Sequence, residues 1–201
     1  MSKASRRKAP PVVVIFGDEE FQKTRTLQQS LDDLLPPQVD RALVLCEYDG
    51  TKPEDQGGPS LATVLDDLAT LPFLADRRVV VIRDADRFIT AHRESLENYL
   101  KAPAPTGALI LVCRSFPKTT RLYKAAVAAG GQALECKKLT TRGLIDFVVA
   151  AARARGKRLD HAVAARLVEL IGQEQGMLAA EVEKLCLYAH DRAAIDRKSV
   201  V

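Results

Sequence analysis

Pro11-Val12-Val13-Val14-Ile15-Phe16-Gly17-Asp18-Glu19-Glu20-Phe21-Gln22-Lys23-Thr24 is the stretch that decides the fold. A short β-branched run ends in glycine. Residues of helical periodicity follow at once, Phe21, Leu27, Leu31, Leu34 and Leu35, until Pro36-Pro37 stops the helix. Strand then helix is the opening unit of an α/β fold. The alternation repeats outward: ALVLCEY (42–48), a Gly/Pro-rich loop (51–59), the helix SLATVLDDLATL (60–71) and the strand RRVVVIRD (77–84). Next come the helix FITAHRESLENYL (88–100), the strand ALILVCR (108–114), the helix KTTRLYKAAVAA (118–129) and the short strand QALEC (132–136). Strands that are apolar throughout, separated by amphipathic helices, predict a parallel sheet covered on both faces.

From about Leu139 the β-branched runs stop and three helical segments follow, punctuated by Gly156 and Gly172. The pattern predicts an α/β domain over 11–138 and a small helical domain over 139–201, behind a basic tail, 1–10, expected to be disordered. The terminal DRKSVV reads as the start of another helix with Asp196 as its N-cap. A further domain is therefore expected to follow in a longer protein, unless this is an unusually short natural version.

The chain has 201 residues, 47% of them hydrophobic, enough for a substantial core. Its apolar runs fall far short of the roughly 20 residues that cross a bilayer, and the N-terminus lacks the apolar stretch of a signal peptide. Those features predict a cytoplasmic protein with no membrane partner. Cys46, Cys113, Cys136 and Cys186 lie far apart with no C-x-x-C pair, which excludes the usual zinc spacings and favours free thiols. The net charge of +4 resides in the tail, through Lys3, Arg6, Arg7 and Lys8. Within the formally neutral remainder, Arg114 to Arg158 holds eleven basic residues against Glu135 and Asp146, a candidate basic surface.

The turn Gly17 to Thr24 fits the phosphate-binding loop G-x-x-x-x-G-K-[ST] at every fixed position but one, where Gln22 replaces the second glycine. That glycine lets the backbone curl so that several N–H groups face the phosphates, and a side chain there closes the cradle. Asp18, Glu19 and Glu20 would repel a polyphosphate, and suit an ordinary helix N-terminus equally well. The companion element, an apolar strand ending Asp-Glu that anchors Mg²⁺, is here Val79 to Ile82 followed by Arg83-Asp84. A cation stands where the metal-linked carboxylate belongs. Two elements fail together, so neither ATP nor a metal cofactor is expected.

Three segments carry a family resemblance: the initial strand with Gly17-Asp18-Glu19-Glu20-Phe21, the central TLPFLADRRVVVIRDAD (70–86), and the late EVEKLCLY (181–188). Together they resemble the delta subunit of the bacterial DNA polymerase III clamp loader, over about residues 11–200. The resemblance implies an AAA+-like, P-loop-type parallel sheet with flanking helices, then an all-helical lid domain. A third domain of the family, the collar that assembles the loader ring, is not matched, so this chain is expected to be monomeric and to join other loader subunits only through that domain. The resemblance also implies a non-catalytic subunit that binds and opens the sliding clamp, the beta subunit, during replication. An apolar pair does this in the family; its counterparts here are Phe73 and Leu74, preceded by Leu71 and Pro72. From the residues alone, Phe73 and Leu74 could equally be core residues where a helix turns into the sheet. Two alternatives stand beside the clamp reading: a working AAA+ ATPase with an unusual loop, and a basic DNA-binding module.

Asp84, Asp86 and His92 form no hydrolase pattern, and Asp86 reads as a helix cap. His161 and His190 lack a nucleophile at motif spacing. Arg114-Ser115 falls where active relatives sense the γ-phosphate, and here reads as a remnant. Lys137, Lys138 and Arg142, with the run Arg153 to Arg158, are candidates for weak DNA contact or for solvated helix-end charges.

Overall fold

A computed structural model describes residues 9–72, 75–190 and 192–195. The order is β1 (Val12–Gly17), α1 (Glu20–Leu34), α2 (Arg41–Val44), β2 (Leu45–Asp49), α3 (Leu61–Ala69), β3 (Arg78–Arg83), α4 (Asp86–Tyr99), β4 (Gly107–Cys113), α5 (Arg121–Ala128) and β5 (Gln132–Cys136). Then follow α6 (Thr141–Ala154), β6 (Arg158–Leu159), α7 (His161–Ile171), α8 (Gln175–Tyr188) and β7 (Ala194–Ile195). The chain divides into two compact units at Lys137/Lys138.

The first unit is a five-stranded parallel sheet in the order β2-β3-β4-β1-β5. Its apolar strands are continuous because both faces are buried. Val12, Val14 and Phe16 of β1, with Val80, Ile82, Leu109 and Leu111, meet α3, α4 and α5 through Val64, Leu68, Phe88, Leu96 and Leu122. Val13, Ile15, Val79, Val81 and Ile110 turn the other way, onto Leu27, Leu31 and Leu34 of α1. Each such side chain contributes about 1.5–3 kcal/mol on burial.

ALVLCEY is not one strand. Asp40 caps a helical turn, accepting from the Ala42 N–H at 3.0 Å, and the strand begins only at Leu45. As an edge strand, β2 is only half-buried, so its side chains do not need to be apolar throughout. Ser60, Thr120 and Thr140 cap α3, α5 and α6 with their hydroxyls.

In the second unit α6, α7 and α8 bury Leu144, Val148, Leu167, Leu178, Val182 and Leu185 together. A two-residue parallel pair, β6 with β7, is added to the helices. The helix anticipated from Asp196 lies outside the described residues, as does most of the basic tail.

Candidate functional site

β1 lies between β4 and β5, so the connections from β1 and from β4 leave in opposite directions, and a crevice opens at the carboxyl ends of these strands. Crevices of this kind are where open α/β sheets bind ligands. The loop motif lies at this end of the sheet. Helix α1 starts at Glu20, inside the loop motif, leaving only Asp18 and Glu19 between strand and helix. Gln22, Lys23 and Thr24 are therefore helical, and the Lys23 N–H is bonded to the Glu19 carbonyl at 3.0 Å. The Glu19 carboxylate accepts from the Phe21 N–H at 3.4 Å.

Lys23 is 2% exposed, and its ammonium pairs with Glu20 at 2.7 Å. The Thr24 hydroxyl, which a working site would present to a metal, donates to the Glu20 carbonyl at 3.0 Å. Gly17 serves the sheet: at φ +134°, a Cβ on it would sit 2.0 Å from the Cys136 carbonyl oxygen. Burial pushes the Cys113 thiol beside the crevice up to about 12, with Asp86 adding to the rise and Lys23 opposing it.

At the end of β3, Arg83 turns toward the sheet edge and donates from Nε to Glu47 Oε2 at 2.9 Å. Asp84 follows in the left-handed region at φ 49°. Asp86 corrects the sequence reading. It is the first residue of α4 and does not cap it; its carboxylate accepts the Arg114 N–H at 3.0 Å and the Ser115 N–H at 3.4 Å. The cause is that β3 and β4 are neighbours ending on one edge, so an acid after β3 reaches the free N–H groups after β4. His92 packs on Phe88, with ring centroids 4.7 Å apart. Among the described residues, no group of three or more His, Cys, Asp or Glu could hold a metal.

A second feature lies at the far end of α3. Thr70 closes the helix through its N–H and hydroxyl, both donated to the Asp66 carbonyl, at 2.9 and 2.7 Å. Leu71 then stands 77% exposed and Pro72 half-buried. Phe73 and Leu74 lie outside the described residues. Beneath this turn, Asp67 accepts from Tyr48 Oη at 2.5 Å and from Arg78 Nη2 at 3.1 Å, and Arg78 Nη2 also donates to Cys46 Sγ at 3.3 Å. This cluster ties the last turn of α3 to β2 and β3. Sequence reasoning missed it, because its members lie far apart in the chain and form no motif.

Burial, reinforced by the bond to Asp67, raises the Tyr48 phenol well above its ordinary value. The raised folded-state value means that its stabilisation is complete below the unfolded value of about 10 and is lost as pH climbs through the folded one. The stability advantage of the wild type over Tyr48→Phe is therefore expected to hold at pH 8 and to shrink above pH 10. Urea melts of both proteins across that range test this, and a pH-independent difference would contradict it.

Two of the four cations in the run Arg153 to Arg158 are engaged. Arg155 Nη2 pairs with Glu183 at 3.2 Å, and Lys157 Nζ donates to the His190 and Arg192 carbonyls beyond α8. His161 pairs with Asp146 at 3.4 Å on the surface.

The family model described as DNA polymerase III, delta subunit matches residues 14–129, more than half of the chain. The chain belongs to this family. In Bacillus subtilis the curated DNA polymerase III subunit delta is 26% identical over 199 residues, covering 92% of this chain and 54% of that protein. The chain thus spans about half the length of that relative. The solved Bacillus subtilis DNA clamp loader delta protein superposes with a TM-score of 0.71 at 24% identity, covering 94% of this chain and 57% of the other. A Thermotoga maritima RuvB structure, the P216G mutant, gives 0.56 at 14% identity, covering 96% and 61%. At these identities the two structures establish the AAA+-like fold. Residues 17–24 and residues 70–77 both fall inside the segment matched to the delta family.

Proposed function

We infer that this chain is the clamp-gripping part of a clamp-loader delta subunit, acting on the sliding clamp in the bacterial cytoplasm and hydrolysing no ATP. The family match over 14–129 carries this reading. Leu71, Pro72, Phe73 and Leu74 form the clamp contact: Leu71 is exposed, and the Asp67 cluster holds the end of α3 that leads into it. Gly17, Gln22, Lys23, Thr24, Arg83 and Asp84 are what remains of a nucleotide site. Other loader subunits supply the ATP-driven step. Domain boundaries near residue 138 and weak DNA contact by the basic second half complete the proposal.

The purified chain is expected to co-elute with the purified sliding clamp in size-exclusion chromatography; separate elution at tens of micromolar would overturn the reading. ATP with Mg²⁺ is expected to give no micromolar binding in calorimetry and no turnover above a protein-free control. Gln22→Gly should not restore either. A helix beginning at Glu20 leaves too little loop for a cradle, and Lys23 already has Glu20 as its partner. Micromolar ATP affinity in Gln22→Gly would show that the side chain alone closes the site.

A further inference from the structure

Arg78 stands where the alternation of β3 calls for an apolar residue. Val80 and Ile82, two and four positions on, face Val64 and Leu68 of α3, both fully buried. Arg78 turns the same way. Its Nη2 donates to Asp67 Oδ1 at 3.1 Å and to Cys46 Sγ at 3.3 Å, and Tyr48 Oη donates to the other carboxylate oxygen, Oδ2, at 2.5 Å. The Arg78 and Asp67 side chains are only 21% and 19% exposed, and Arg78 Nε is shielded from solvent with no acceptor.

As a device for stabilising the fold this arrangement is poor. Two charges are largely withdrawn from water, one N–H is left over, and apolar side chains of similar volume in place of such a pair often match or exceed its stability. Val64 and Leu68 already hold α3 on the sheet. They leave open the direction of the chain where the helix ends, because apolar packing is non-directional and hydrogen bonds are not. Asp67 lies in that last turn. Its carbonyl and that of Asp66 both accept the Thr70 N–H, at 3.3 and 2.9 Å, and the Thr70 hydroxyl donates to the Asp66 carbonyl at 2.7 Å. A side chain anchored to β2 and β3 thereby fixes the backbone as far as Thr70, and the exposed Leu71 is the next residue.

We propose that Tyr48, Asp67 and Arg78 are positioning residues for clamp binding: they hold the turn after α3 in one direction before contact, and an apolar trio of the same size would serve the fold equally well. The proposal rests on the clamp-binding reading above. It requires no contact between the three side chains and the clamp. A turn ordered in advance binds more tightly because less conformational freedom is lost on association.

Calorimetric titration of the purified sliding clamp into wild type, a triple variant (Tyr48→Phe, Asp67→Leu, Arg78→Met) and Thr70→Gly tests it, with a thermal melt of each. The triple variant removes every polar partner of the set together. It is expected to melt at or above the wild-type temperature and to bind the clamp about tenfold more weakly. Thr70→Gly, at an exposed position, leaves the cluster in place and frees the backbone between it and Leu71, and is expected to lose about as much affinity. If the triple variant proves unstable, Thr70→Gly decides alone. Wild-type affinity in either folded variant would overturn the positioning role while leaving the clamp reading intact. Failure of the wild type itself to bind would remove both.

Discussion

Phe73→Ala combined with Leu74→Ala is expected to weaken clamp binding by about 100-fold or more while leaving the melting temperature nearly unchanged. Burying a Phe and a Leu together contributes about 3–6 kcal/mol, a large share of the roughly 8–12 kcal/mol of a micromolar-to-nanomolar complex. Two such residues can dominate an interface, and a 100-fold loss corresponds to about 2.7 kcal/mol. The described residues on either side of the pair motivate this expectation. Helix α3 is closed at Thr70, Leu71 is exposed, proline follows, and the chain returns to the core at Ala75. Were the pair buried in the core, each truncation would cost about 2–5 kcal/mol of stability. Melts and clamp titrations on one double mutant separate the two cases. A collapsed melt returns the pair to the core, and a normal melt with intact binding removes it from the interface.

Gly17→Ala is expected to be the most damaging single substitution in the crevice, costing about 3–5 kcal/mol in urea unfolding. Two effects add. The residue sits at φ +134°, a conformation L side chains rarely adopt, and its added Cβ would meet Cys136 backbone atoms at 2.0 and 2.7 Å. Those atoms belong to β5, paired with β1 at this register, so relief requires the two strands to part. Gly57→Ala is the control, because Gly57 also has positive φ, +82°, but nothing within 4 Å of the new methyl. It should cost only the conformational term, about 1–2 kcal/mol. Equal losses in the two variants would show that the close approach to Cys136 is relieved at no cost.

Part of the case against nucleotide binding is legible in the sequence. Gln22 and Arg83 break the motifs on which phosphate and magnesium depend, and that can be read without coordinates because each motif is local. The sequence places the expected defect at Gln22, and the structure adds that α1 begins two residues earlier, at Glu20. Capping by Glu19 and the pairing of Lys23 with Glu20 decide where that helix starts, and both involve side-chain geometry that no spacing rule specifies. Asp86 was misread for a similar reason. An acid before an apolar helix looks like a cap, and only the adjacency of β3 and β4 supplies the stronger partners at Arg114 and Ser115.

By itself the sequence determined the alternation of strands and helices, the parallel sheet and the change of character near Leu139. Burial on both faces forces apolar residues into unbroken runs, and amphipathic helices must cover those faces. ALVLCEY escaped this logic because an edge strand is only half covered. Tertiary structure alone decided the order β2-β3-β4-β1-β5 and the joining of Tyr48, Asp67 and Arg78 beneath Leu71. Each depends on residues brought together across long stretches of chain, and periodicity, which reports only how one segment faces its surroundings, carries no information about which other segment it meets.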